Sequence, residues 1–236
     1  MATIKILSVP DSVSELSIIK KLLVKSIDYL KKRKVRFVIT RVNGDYIAAL
    51  HSLEEIGFRY YDDVIYPIAS TDHIPINTEV HLMKPQDIAE VKRIAENFQY
   101  QRGHYYCDER FEKKIIDSMY AKWIETSVKN NEPIAVIERN NKIAGFFVFK
   151  IDEELLQHTG YKYGRLKLLT LDPNYRGSGV GSELFRGTLS LIKNMGADYI
   201  DSGYSSKNHI SARLHTRASF LSVYEEVTFH LWMDKM

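Results

Sequence analysis

The chain has a single cysteine, Cys107, among its 236 residues, so no internal disulfide can form and a reducing compartment is expected. Cysteine and histidine nowhere fall at the spacing of a zinc site, and no metal is expected. Long apolar runs are missing as well. The longest, Ile143–Phe149, has the length of a strand and cannot cross a bilayer, so no transmembrane segment is expected. Met1–Pro10 lacks the apolar core of a signal peptide, which makes a cytoplasmic location the expectation. Charge of one sign is scarce too. Lysine and arginine number 33 against 30 acidic residues, a net charge of +3. That is too little to argue for nucleic acid and mildly helpful to an anionic ligand. What remains is ordinary globular material, 44% hydrophobic and 27% charged, enough for one or two domains with a core.

Periodicity orders this material. Ile4–Val9 reads as a strand, broken by Pro10. Ser12 or Ser14 then caps a helix to about Lys32, with Ile18, Leu22, Leu23, Ile27 and Leu30 as its apolar face. A strand Val35–Thr40, a turn at Asn43-Gly44-Asp45, a short helix to Glu55 ended by Gly57, and a strand between Phe58 and Ile68 complete a β-α-β-α-β segment. The polar stretch Ser70–Asn77 reads as a linker between a domain at 1–75 and a second at 79–236. The second begins with a strand Val80–Met83 and a helix from Pro85 to about Phe98. A helix Phe111–Lys129 follows, with an apolar stripe of Ile115, Ile116, Met119, Tyr120, Trp123, Ile124 and Val128. Strands Ile134–Glu138 and Lys142–Ile151 meet at Asn140-Asn141, a pair suited to a tight hairpin turn. From Leu166 the order is again β-α-β-α-β: a strand to Leu171, a helix from Val180 closed by Gly196, a strand Tyr199–Gly203, a helix Asn208–Ala218, and a strand Ser222–Met233. The two segments echo each other. Val9-Pro10-Asp11 stands where Leu171-Asp172-Pro173 stands, Ile56-Gly57-Phe58 matches Ala218-Ser219-Phe220, and Asp62-Asp63-Val64 matches Glu225-Glu226-Val227. Only the second copy has glycines after its first strand.

That glycine stretch, Arg176-Gly177-Ser178-Gly179-Val180-Gly181-Ser182, joins a buried strand to an amphipathic helix. Such a junction aims backbone N–H groups at one spot with the positive end of a helix dipole behind them, and the missing Cβ atoms let a ligand approach. A pyrophosphate is the natural guest. The P-loop pattern fails, because Gly181 is followed by Ser182-Glu183 rather than Gly-Lys-Ser/Thr. The dinucleotide fingerprint fails as well, because its third glycine falls on Ser182.

The pattern Leu171-x-Pro173-x-x-Arg176-Gly177-x-Gly179-Val180-Gly181 resembles the acetyl-CoA loop of the GNAT superfamily of N-acyltransferases, over about residues 79–236. Asn208, Ser211 or Ala212, Leu214, His215 and Phe220 fall at the spacing of that superfamily's second CoA-contacting helix. The resemblance implies an α/β (α+β) fold, a mixed twisted sheet flanked by helices, here preceded by a smaller degenerate α/β half-domain. It implies acetyl-CoA as cosubstrate, held by Leu169, Thr170, Leu171, Arg176–Ser182, Asn208 and Leu214. The region Tyr100–Lys129 is similar to that of nucleotide amino-sugar N-acetyltransferases of the TDP-fucosamine type, which implies such a sugar amine as acceptor. A homodimer is compatible with it.

Acetyl transfer needs a polarised thioester carbonyl, an amine freed of a proton, and a proton for the thiolate. Backbone N–H groups on the splayed end of Leu168–Leu171 suit the first need. The family's usual tyrosine donor and a glycine are replaced here by His215 and Ser219. His215 is therefore the expected proton donor, with Tyr224 in reserve. The general base stays open between Asp201, Asp108 and water. Arg102, Tyr105, Tyr106, Asp108 and Asp201 are the expected acceptor-binding residues, a cation for a diphosphate and rings for a base or sugar. Cys107 is expected to be a small buried hydrophobe.

Overall fold

The structure, a computed structural model, describes residues 1–6, 16–77, 79–97 and 100–233. The expected caps Ser12 and Ser14, the end of the first strand and the end of the helix at Phe98 lie outside the described residues. The chain divides into two compact units, one of residues 1–65, 205–207 and 224–236, the other of 66–204 and 208–223. Mixed strand directions with helices between them match the expected fold class.

In the first unit, β1 (Ala2–Lys5) and β2 (Phe37–Asn43) are parallel, joined through α1 (Leu16–Lys32). After α2 (Ile47–Glu55) the chain enters β3 (Arg59–Ser70), and the far end of β10 (Leu221–Trp232) pairs antiparallel with β2. Leu23, Ile27, Val38, Val42, Leu53, Phe58, Phe229 and Leu231 form its core. The expected face of α1 is rotated. Leu23 and Ile27 are buried with Ile19 and Leu30 against them, whereas Ile18 is 53% and Leu22 59% exposed. Each lies one residue, about 100° round the helix, before the buried line.

The second unit carries β4 (Val80–Leu82), α3 (Ile88–Ala95), α4 (His104–Cys107), α5 (Lys113–Lys129), β5 (Ile134–Arg139), β6 (Lys142–Asp152), α6 (Glu153–Thr159) and β7 (Tyr163–Leu171). It continues with α7 (Val180–Asn194), β8 (Tyr199–Asp201), β9 (Tyr204–Ser205, whose last residue belongs to the first unit) and α8 (His209–Arg217). Its strand order is β4-β5-β6-β7-β8 followed by the last residues of β3. Asn140 and Asn141 sit at φ 53° and 57°, the left-handed pair a tight hairpin needs. One sheet face packs on α7 through Leu171, Val180, Leu184, Phe185 and Ile192. The other packs on α3 and α5 through Val91, Ile94, Ile116, Tyr120 and Ile124. Ile115, expected in that stripe, is exposed. Ser70–Asn77 is packed as well: Thr71 Oγ1 donates to Ala197 O at 2.7 Å, Lys193 Nζ to Ile74 O at 2.8 Å, and Ile74 is buried.

The echo between the two halves runs at a constant offset of 162 positions. Ala2 pairs with Val38 and Gly164 with Ile200; Ile39 pairs with His230 and Asp201 with Ile68. Gly44 N donates to Glu225 O, and Ser206 N to Asp63 O. Helix ends repeat too. Val35 N reaches Leu30 O beside left-handed Lys34, as Ala197 N reaches Ile192 O beside Gly196. Phe58 N reaches Leu53 O beside Gly57, as Phe220 N reaches His215 O beside Ser219. This offset sets Asp62 against Tyr224, one place from the match drawn on acidic residues alone. The Val9-Pro10-Asp11 match lies outside the described residues. Each parallel pair is thus extended by the last strand of the other chain half, β10 beside β2 and β3 beside β8.

Candidate active site

β7 ends at Leu171, and the next residue, Asp172, is 3% exposed. Its carboxylate accepts from Asn174 N at 2.9 Å, capping a one-turn 3₁₀ helix Pro173–Tyr175, and pairs with Arg93 of α3. Burial alone would raise this carboxyl, but Arg93 and the Asn174 amide hold it below the usual range. The chain then turns through Gly177 at φ 80° and Gly179 at φ 92°, where a side chain would be strained. A Cβ on Gly177 would meet nothing within 4 Å, and one on Gly179 only Glu183 at 4.0 Å. The turn is therefore open around Gly177 and Gly179, while the Cβ position of Gly181 lies 3.2 Å from the Leu171 side chain. Gly179 caps α7, and its carbonyl takes the N–H groups of Ser182 and Glu183. The N–H groups of residues 177–181 have no protein acceptor among the described residues. Unpaired amides, two left-handed glycines and a helix N-terminus fit a diphosphate.

The strand before the turn opens on one side. β7 and β8 are parallel only from Tyr163↔Tyr199 to Arg165↔Asp201. On its other side β7 stays paired with β6 to Leu171, with a bulge between Val148 and Phe149, and Asp172 N reaches Ala144 O. Strand alternation then turns the Leu169 and Leu171 N–H groups away from β6, into the gap that β8 leaves. Arg176 closes the base of the loop: its guanidinium donates to Leu171 O at 3.3 Å and to Asn97 O after α3, while its buried Nε has no partner. Glu183 in the first turn of α7 would oppose an anion, but Arg139 of β5 pairs with it.

The expected site residues divide. Leu169, Leu171, Gly177, Ser178, Gly179, Val180 and Gly181 line the gap and the loop. Ser178 Oγ donates to Tyr175 O at 2.7 Å, and Ser182 gives its N–H to Gly179 O. Thr170 is fully buried, with Oγ1 unpartnered. Asn208 caps α8, accepting from Ser211 N at 3.1 Å, and Leu214 packs on the α7 face of the core. His215 is 3% exposed, ringed by Phe185, Phe220 and a stacked Tyr204. Its Nδ1 lies 2.8 Å from Ser211 O, which can only accept, so Nδ1 carries the proton and Nε2 accepts from Ser202 Oγ at 2.9 Å. Burial pushes its pKa down to about 4. The ring is a neutral core group with both nitrogens engaged. Tyr224 falls in the first unit and is 45% exposed.

Around α4, Tyr106 Oη donates to Asp117 at 2.7 Å, and burial pushes its pKa up. Tyr105 packs edge-on against Phe111, and buried Asp108 accepts from Arg110 N at 3.2 Å. Arg102 is exposed. Cys107, the last residue of α4, is exposed rather than buried, its Sγ 3.1 Å from Arg102 O, and His104 at the start of that helix is the residue that is buried. Asp201 is held by Arg165 through contacts of 2.7–3.0 Å. Sequence reading missed Arg93, Arg139 and Asn97, which reach the loop only through tertiary contacts. Among the described residues no group of side chains could hold a metal, and no helix is long and apolar enough to cross a membrane.

A parallel pair that parts beside an amide-lined loop forms a site able to hold a diphosphate-bearing ligand. Residues 93–220 match the model of the acetyltransferase (GNAT) family. The chain belongs to that family, whose fold brings acetyl-CoA-dependent N-acetyl transfer with it. No curated protein matches the sequence. Among solved structures, a GCN5-related N-acetyltransferase from Sphaerobacter thermophilus is similar at TM-score 0.64 and 14% identity, over 90% of this chain and 67% of that one. A functionally unknown conserved protein from Staphylococcus epidermidis gives TM-score 0.64 at 11% identity, over 89% and 80%. A tandem GNAT protein from the clavulanic acid biosynthesis pathway gives 0.58 at 11%, over 90% and 69%.

Proposed function

We propose that the protein moves acetyl from acetyl-CoA to a primary amine by direct attack, and that the acceptor is the amino group of a nucleotide-linked amino-dideoxy sugar. The observation that carries the first part is the turn left open at Gly177 and Gly179, with the unpaired amides of residues 177–181. Those amides and the α7 dipole grip the diphosphate. Acetyl-CoA, when bound, supplies the activated thioester. Leu169 and Leu171 N–H groups stabilise the negative charge that develops on the carbonyl oxygen. Fixing the donor there makes attack effectively intramolecular, so no covalent enzyme intermediate is needed. His215 is neutral and Asp201 and Asp108 are bound internally, so solvent exchanges both protons, and the leaving thiolate accepts from water.

The sugar part is supported by the similarity over Tyr100–Lys129 and by Arg102, whose exposed guanidinium suits an acceptor diphosphate. The first unit we read as a degenerate half-domain, supported by the 162-position register shared with the second. One observation favours a second reading, a CoA-binding module without turnover: the residue at the family's donor position is buried, and its one ring proton is held on Ser211 O. Thiol release from acetyl-CoA with a panel of nucleotide amino sugars, polyamines, aminoglycosides and peptides separates these. Stimulation by the sugars supports the proposal; stimulation by another amine alone removes the sugar; binding without release by any amine leaves the module.

A further inference from the structure

We propose that Arg93 of α3 is a positioning residue for the diphosphate loop, acting through the buried carboxylate of Asp172. The inference rests on the reading of that loop as the acetyl-CoA site. Asp172 holds the Asn174 amide and so fixes the 3₁₀ turn from which residues 176–182 spring. Arg93 is itself oriented by Glu90, one helical turn away, through contacts of 3.0 and 2.7 Å. The Glu90–Arg93–Asp172 chain therefore ties α3 to the root of the loop, and Arg176 ties the same helix end back through Asn97 O. Both guanidinium groups are spent on acceptors at the root of the loop, Arg93 on Glu90 and Asp172 and Arg176 on Leu171 O and Asn97 O.

The charged groups facing Asp172 are Arg93 and Glu90 from α3 and Arg176 in the loop itself, with Lys142 of β6 acting on Glu90. Take away Arg93, and burial and Glu90 both push the Asp172 proton affinity up. The carboxylate then takes up its proton at a higher pH than in the wild type, and the cap on Asn174 weakens when it does.

The test is the dissociation constant of CoA, measured by calorimetry on the full chain at about pH 8 and about pH 6, for wild type, Arg93→Met, Arg93→Lys, and Arg93→Met combined with Asp172→Asn. Taking each variant as a ratio to wild type at the same pH removes the ligand's own titration. The Arg93→Met ratio is expected to grow about tenfold from the higher to the lower pH, one pKa unit being tenfold. Arg93→Lys should stay within about threefold of wild type, and the double variant should show no growth. Thiol-release kinetics should show the Arg93→Met effect in KM for acetyl-CoA, with kcat little changed. An Arg93→Met ratio near one, or one that is raised but equal at both pH values, overturns the positioning role. If Arg93→Met does not fold, Arg93→Lys and Asp172→Asn carry the comparison, and pH-independent binding in Asp172→Asn with wild-type affinity overturns it as well. Failure of wild type to bind CoA at all would instead overturn the function proposed above.

Discussion

His215 makes a sharp prediction because its surroundings fix its tautomer. The folded imidazole resists protonation down to about pH 4, against the ordinary value of 6.5 in the unfolded chain, because burial disfavours the charged ring. The folded pKa is the lower of the two. Its contribution is present above the unfolded pKa and is lost as pH falls from about 6.5 toward about 4, since only the unfolded chain takes up the proton. At about pH 5 the linkage amounts to about 2 kcal/mol relative to about pH 7.5. For a chain of this size that is about 4–8 °C of melting temperature. His215→Phe fits among Phe185, Phe220 and Tyr204 but leaves Ser202 Oγ and Ser211 O without the ring nitrogens. It should therefore be less stable at about pH 7.5 and lose that much less on acidification, by calorimetry at both pH values. The rate–pH profile should keep its shape, with kcat reduced by less than about tenfold. Equal acid sensitivity in the two proteins would refute the neutral buried ring. A kcat loss beyond about 100-fold in a variant of unchanged melting temperature would restore His215 as proton donor.

Gly179→Ala puts a Cβ at φ 92° over the open turn, so CoA should bind at least about tenfold more weakly for roughly 1–2 kcal/mol of lost stability; unchanged binding would count against the loop as the diphosphate site. Tyr106→Phe removes the bond to Asp117 and should cost about 1 kcal/mol in chemical denaturation with the acceptor KM unchanged; a raised KM at full stability would place the hydroxyl on the acceptor.

Much of the architecture was legible because its signals are local. Asn140-Asn141 announced a turn, Gly196 a helix end, and alternation the strands around them. The rotation of α1 was not legible: Ile18 and Ile19 are equally apolar, and only the packed neighbours choose which turns inward. The exchange of last strands was hidden for the same kind of reason, since an edge strand carries no mark of the partner it will join.

By itself the amino-acid order determined the glycine loop, its strand and its helix, because φ preference and missing side chains are properties of single residues. Only the tertiary structure decided that Arg93 meets Asp172 across 79 positions, and that His215 is buried, neutral and bonded on both nitrogens. A side chain's charge state depends on the dielectric and the partners around it, and those are set by residues far away in the chain.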